Sequence, residues 1–376
     1  MKNLMKISLL IPLLCGFVWM TGGVQAATQT KNLVSHNTIA ANDAYVEYIG
    51  RTLEKGRTVQ FDWTGVHIRT QFTGGYLAVA MSDTKGNYYD LFLDGKFSKT
   101  FKVSGDTVIT LASRLSAKAH QLLLFKRTEG EQGIATINDF ILAKNGALIK
   151  CSGTPVHRIE FIGNSITCGF GTEVSNPKAP FLPSTENSYH SYASIVSRYF
   201  DADYHLVAHS GLGVVRNYGD KKPISEQTMR QRFLHTFDMN LNIDWNFSKW
   251  KPDVVVVKLG TNDYSNPAIC PTEEQFVNGY LDLIASIRKA YGEIPIVCMS
   301  SCMSGDKLYQ SVQTVVTKSN DKNIHFVGLK PELLNWNTDF GACAHPNYEG
   351  QKKMALVLIP SLSTIMGWSL SNKPVE

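Results

Sequence analysis

Several things are scarce in this chain, and each scarcity excludes something. Charge is low: Asp, Glu, Lys and Arg make up 18% of the 376 residues, and the formal excess is +5. So small an excess, spread evenly, gives no basic face for a nucleic-acid partner. Beyond the first 26 residues no apolar run approaches the roughly 20 residues of a membrane span. Internal repeats and low-complexity segments are absent, which excludes solenoids and disordered tracts. Cysteines number seven, and the pair Cys298 and Cys302 lacks a second pair at zinc-site spacing. No metal or organic cofactor is expected.

The amino terminus has what a leader needs. Lys2 and Lys6 form a positive start, Ile7 to Met20 is apolar, and Val24-Gln25-Ala26 is a small-X-small cleavage site. Cutting after Ala26 is therefore expected, with export to the periplasm or medium. Removing the leader lowers the formal charge to +3. It also removes Cys15; the six remaining cysteines can pair after export, but the sequence does not fix how. Cys298 closes an apolar strand signal and reads as a buried free thiol. About 350 residues remain, long for one compact domain, so two are expected.

The first spans residues 27–150: residues 27–43 read as a loose polar lead-in, and Tyr45 to about Ile149 reads as all-β. Runs such as Val59 to Trp63, Val66 to Thr70, Leu77 to Ala80 and Tyr88 to Leu93 alternate or are β-branched and aromatic. Turn signals separate them at Gly74-Gly75, Lys85-Gly86-Asn87 and Asp94-Gly95-Lys96. Close strand spacing without helical stretches indicates a β-sandwich of jelly-roll type. After a polar break from Cys151 to Pro155, strand and helix signals alternate over 151–376, the texture of a parallel sheet with crossover helices. Strands are expected at Ile159 to Ile162, Tyr204 to Ala208, Asp253 to Leu259, Ile294 to Cys298 and Ile324 to Val327. Helices are expected over Ser188 to Phe200, from a Thr272–Gln275 capping box to Tyr291, over Leu308 to Lys318, and after His345-Pro346. The tail from Ser371 to Glu376 reads as loose.

Chemistry-bearing residues collect where strands end, the edge at which α/β folds keep their sites. The first strand stops at Gly163-Asn164-Ser165. The second is followed by Ser210-Gly211-Leu212-Gly213, the third by Gly260-Thr261-Asn262-Asp263, and a late loop carries Cys343-Ala344-His345-Pro346-Asn347. A serine hydroxyl needs a base to take its proton, and the oxyanion it generates needs fixed donors. Ser165 offers the nucleophile and His345 the base; a glycine N–H and the Asn262 amide offer donors. Singly, each has a plainer role: Ser165 as a helix cap, Gly213 as a turn glycine, Asn262-Asp263 as a helix entry, His345 as a surface residue. Thr167 fills the second glycine position of G-x-S-x-G, which argues against a lipase-type α/β-hydrolase.

These four blocks, in this order, resemble the GDSL/SGNH hydrolases. With the preceding sandwich, the layout is similar to carbohydrate esterase family 2, acetyl esterases with a jelly roll before an SGNH domain. The resemblance implies a flavodoxin-like three-layer carboxyl-terminal domain. It also implies Ser165 as nucleophile, His345 as base, and an oxyanion hole of the Ser165 and Gly213 N–H groups with the Asn262 side chain, Gly211 being the alternative to Gly213. It implies a secreted enzyme acting on acetylated polysaccharide or oligosaccharide. Two positions depart from the wider pattern. Asn164 stands where Asp is usual, and Ala342 stands where an orienting Asp would be, Asp339 being the nearest acid upstream. Family 2 includes Ser–His dyads in which a backbone carbonyl holds the imidazole; that arrangement, or Asp339 folding back, completes the site. Tyr218, Trp245 and Trp336 are candidates for a sugar platform, each with packing as the plainer role. A carbohydrate-binding protein on an esterase fold, and an SGNH lipase or thioesterase, are the competing functions.

Overall fold

The computed structural model describes residues 36–153 and 155–376; the leader and its cleavage point lie outside them. The amino-terminal part is one antiparallel sheet of ten strands. Its longest strands, Leu77–Leu93 and Lys96–Ala112, form a hairpin about Asp94-Gly95. Both turn residues have positive φ, 51° and 76°, as a type I′ turn demands. The first half of Leu77–Leu93 pairs with Ala135–Ala143 and its second half with His120–Lys126. One strand thus serves two parts of the sheet, and the sheet curls around Val59, Phe61, Leu77, Met81, Leu91 and Phe140, all buried. This is the curled sandwich that the alternation implied.

The Lys85-Gly86-Asn87 turn is a correction. The strand runs through it as an irregularity between Asp83 and Asn87. The Asn87 amide donates to Asp83 Oδ2 at 2.6 Å and to the Gly133 carbonyl at 3.0 Å, and the Tyr89 hydroxyl donates to the same carboxylate at 3.1 Å. The break in the ladder is thereby satisfied internally, and the chain need not reverse.

The carboxyl-terminal part holds a parallel sheet of β1 (His157–Gly163), β2 (Ala202–Ala208), β3 (Val254–Val257), β4 (Ile296–Met299) and β5 (Ile324–Val327), in the order β2-β1-β3-β4-β5. Strands buried on both faces read as unbroken apolar runs, and alternate residues separate to the two sides. Val255, Val257 and Ile296 pack with helices α3 (Glu273–Tyr291) and α4 (Asp306–Ser319). Val254, Val256 and Val297 pack with α2 (Tyr192–Tyr199) and α5 (Tyr348–Met366). Helix α3 starts where the capping box placed it: Gln275 N–H donates to Thr272 Oγ1 at 3.1 Å, and Thr272 N–H to Gln275 Oε1 at 2.9 Å. Helix α2 starts later than the spacing suggests because Asn187 caps a separate 3₁₀ turn, Ser188–His190, before Ser191 caps α2. The tail is less loose than expected, since Ser371 N–H donates to the Tyr199 hydroxyl at 2.8 Å.

The two sheets meet over buried polar contacts. Arg51 and Glu160, both solvent-inaccessible, pair at 3.1 Å, and Arg51 also donates to the Phe233 and His235 carbonyls. Asp62 accepts the Asp238 and Met239 N–H groups at 2.7 and 2.9 Å. All six cysteines of the described residues are free thiols, Cys298 being buried. Among the described residues no helix is long and apolar enough to cross a membrane.

Candidate active site

In the order β2-β1-β3, chain connectivity reverses beside β1, and a crevice opens at the strand ends there. Ser165 is the first residue of the single-turn helix α1 (Ser165–Cys168), which follows β1 directly. Asn164 Oδ1 caps that helix by accepting Ile166 N–H at 3.4 Å, so the turn forms with Asn in place of Asp. At the first helical position Ser165 N–H has no intrahelical acceptor and is available to a ligand.

His345 Nε2 lies 2.8 Å from Ser165 Oγ across 180 residues of chain. Its Nδ1 faces the Cys343 carbonyl at 3.0 Å, so the ring carries its proton on Nδ1 and turns its lone pair on Nε2 to the serine. The carbonyl reaches this place through unusual backbone. Cys343 and Ala344 both have positive φ, 50° and 57°, a conformation that costs non-glycine residues of order 1–3 kcal/mol each. Two hydrogen bonds from outside the loop hold it: Cys343 N–H to the Ala179 carbonyl and Ala344 N–H to the Pro177 carbonyl, each at 2.9 Å. Burial drives the His345 pKa down to about 4; the Cys343 carbonyl opposes this, and the Lys258 ammonium adds to it. Phe170 covers the ring at 4.4 Å and itself stacks on Phe181 at 3.9 Å.

Asp339 does not approach the imidazole. It is 1% exposed, and its carboxylate takes the Asn335 N–H, the Thr338 hydroxyl and the Lys353 ammonium. Asp339→Ala is therefore expected to keep kcat within about twofold while lowering stability by about 1–3 kcal/mol, since it removes the acceptor of three part-buried hydrogen bonds. Parallel kinetics and thermal melts check this; loss of turnover by orders of magnitude in a folded variant would restore Asp339 as the group that orients the histidine.

The donors are arranged differently from the sequence reading. Gly213 stands back from the crevice: its N–H donates to Asn217 Oδ1 at 3.2 Å. A Cβ there would meet the Arg216 carbonyl and the Asp263 carboxylate at 2.1 and 2.4 Å, so close packing requires this glycine. Gly211 lines the crevice instead, at φ 81°. Asp263 was missed by sequence reasoning as a fixing group; it accepts the Val214, Val215 and Arg216 N–H groups at 3.0, 2.7 and 2.9 Å and so shapes the loop after Gly213. Asn262 does line the crevice, and its Nδ2 donates to the Leu212 carbonyl at 2.8 Å. That anchor uses one amide hydrogen and leaves the other for a ligand.

The crevice has a volume of about 800 Å³ and collects Ser165, Ser210, Gly211, Asn262 and His345 on one wall. Of the three aromatic candidates, Tyr218 is 70% exposed and lines it. Trp245 is buried against Arg51, and Trp336 packs at a tilt against Phe340 outside it.

Comparison with known proteins bears on the family and the fold. The carbohydrate esterase 2 N-terminal family matches residues 48–151, and the GDSL-like lipase/acylhydrolase family matches residues 161–353. The chain is 32% identical over 315 residues to the cellulase/esterase CelE of Acetivibrio thermocellus, covering 81% of this chain and 38% of that protein. It is 27% identical to an acetylxylan esterase/glucomannan deacetylase of Cellvibrio japonicus, over 96% of this chain and 99% of that protein. A solved family two carbohydrate esterase from Clostridium thermocellum, in complex with cellohexaose, superposes with a TM-score of 0.80 at 30% identity, covering 86% of this chain and all of that one.

Proposed function

Because the chain belongs to carbohydrate esterase family 2, we propose that it is an exported carboxylic ester hydrolase that removes O-acetyl groups from plant cell-wall polysaccharides or their oligosaccharides. The observation that carries this reading is the 2.8 Å contact between Ser165 Oγ and His345 Nε2 on the wall of an open crevice. His345 accepts the serine proton as Oγ attacks the acetyl carbonyl. The Ser165 and Gly211 N–H groups and the Asn262 amide receive the oxyanion. His345 then protonates the sugar oxygen as its bond to the acetyl carbon breaks, leaving acetyl-Ser165, and water attacks with His345 again as base. The Cys343 carbonyl stabilises the imidazolium that forms at each step. Residues 1–26 serve as leader, 27–150 as the sandwich and 151–376 as the hydrolase domain.

Acetate release from acetylated xylan and acetylated glucomannan, by wild type and by Ser165→Ala, tests the reading. Serine-dependent release is expected. Wild-type protein that binds oligosaccharide but releases no acetate would instead indicate a binding protein on an esterase fold. Preference for long-chain acyl esters would indicate a lipase or thioesterase.

The pH profile follows from the lowered imidazole. The active base is neutral His345, which exists above its pKa of about 4. kcat/KM is therefore expected to stay level down to about pH 5 and to be half-lost near pH 4, whereas an unperturbed histidine would lose half near 6.5. Initial rates on a chromogenic acetate ester from pH 3.5 to 8 check this; an acid limb centred above pH 6 would contradict the half-buried, carbonyl-held imidazole.

A further inference from the structure

The amino-terminal sheet sends one side chain to the back of the active site. Glu129 follows the strand His120–Lys126 and is 1% exposed. Its Oε2 accepts the Ser210 N–H at 2.6 Å and faces Cys168 Sγ at 3.7 Å. Ser210 precedes Gly211, and Cys168 ends the helical turn that Ser165 begins. One carboxylate oxygen therefore ties together the two segments whose N–H groups face the oxyanion.

Glu129 is itself held on both sides. Its N–H donates to Glu186 Oε2 at 3.2 Å, and its carbonyl accepts from the buried Lys126 ammonium at 3.3 Å. Beside it, His209 contacts Asp238 at 2.7 Å and Glu129 at 3.9 Å. Burial would lower the His209 pKa, but Asp238, with Glu131 and Glu129, overrides this and raises it to about 10, so a cation stands next to the carboxylate. Glu129, Cys168 and Glu186 offer three ligand atoms within 4.8 Å of one another. The surroundings do not suit a metal: His209 already supplies positive charge, and burial pushes the Cys168 thiol and the Glu186 carboxyl up, away from the ligating forms. The group is a hydrogen-bonded brace.

We infer that Glu129 is a positioning residue for the deacetylation reaction, fixing the Ser210-Gly211 loop so that the Gly211 N–H meets the oxyanion, and that the amino-terminal sheet contributes to turnover through it. The inference rests on the esterase reading. Donors must sit within about 0.5 Å of their productive place, and losing one outright costs about 10²–10³ in kcat. Freeing the loop is a smaller insult than removing the donor.

Glu129→Ala is expected to lower kcat on an acetylated xylo-oligosaccharide about 10- to 100-fold, with KM within about threefold of wild type. Methylboronic acid, whose tetrahedral adduct with Ser165 places an oxygen in the oxyanion hole, should lose affinity by the same factor as kcat/KM. The deacetylated oligosaccharide should bind as before. Glu129→Gln keeps an acceptor for the Ser210 N–H and should recover to within about fivefold of wild type. If the alanine variant does not fold, Glu129→Asp retains the charge but withdraws it by one methylene, and its kcat should fall between those of Gln and Ala. An unchanged kcat in the Ala or Asp variant, a Gln variant as impaired as Ala, or equal losses of boronate and oligosaccharide affinity would each overturn the inference. Wild-type turnover abolished by Ser165→Ala upholds the esterase reading whatever the Glu129 variants do, so the two failures are distinguishable.

Discussion

Ser165→Ala is expected to lower turnover of an acetyl ester by about 10⁴- to 10⁶-fold, with His345→Ala close behind and the double variant no worse than the single ones. The reason is mutual dependence. The hydroxyl is inert until the imidazole 2.8 Å away takes its proton, and the imidazole has no other task once the hydroxyl is gone. Folding should survive both changes. Ser165 contributes a side chain only 7% exposed and, among the described residues, bonded only to His345, and its helical turn is capped independently by Asn164. kcat for the three variants, beside their melting temperatures, decides the matter. Losses that add in the double variant would mean that serine and histidine act separately, and the proposed dyad would be wrong.

The second large effect is expected at Asn262. Replacing it with alanine should reduce kcat by about 10²- to 10³-fold, with little change in KM. The amide is aimed by its bond to the Leu212 carbonyl, and Arg216 secures its own backbone carbonyl at 3.1 Å. The donor is thus rigid before substrate arrives, and its hydrogen bond strengthens only as charge develops on the attacked oxygen. Ground-state binding should hardly register the loss. Asn262→Asp should be worse than Ala in kcat, because it sets a negative charge against the oxyanion. Equal losses in kcat and in product affinity would show that Asn262 shapes the crevice rather than the transition state.

Much of this was legible in the sequence because local signals agreed with the tertiary fold. The run Val254 to Val257 had to be a strand buried on both faces, and Thr272 with Gln275 marked a helix start that the structure repeats bond for bond. Ser165, Asn262 and His345 announced themselves by standing where strands and loops end. What stayed hidden depends on contacts between distant segments. Gly211 and Gly213 look alike in sequence; they differ because Asn217 and Asp263 occupy the space around the second. No local rule predicts that Cys343 takes a left-handed backbone, since the carbonyls that hold it there belong to residues 177 and 179. Trp245 is drawn inward by Arg51, whose own place is set by Glu160 on another sheet. Glu129 was overlooked because acids in a connection between strands usually face water.

That pair of opposite charges, Arg51 and Glu160, also governs how the gene can be cut and rejoined. Removing one partner of a buried ion pair leaves the other uncompensated, at about 3–5 kcal/mol. A truncated chain beginning near residue 151 would lose the guanidinium that Glu160, buried in β1, is paired with. The two parts are therefore expected to be exchanged between proteins as one unit, and a cut between them to destabilise the parallel-sheet part.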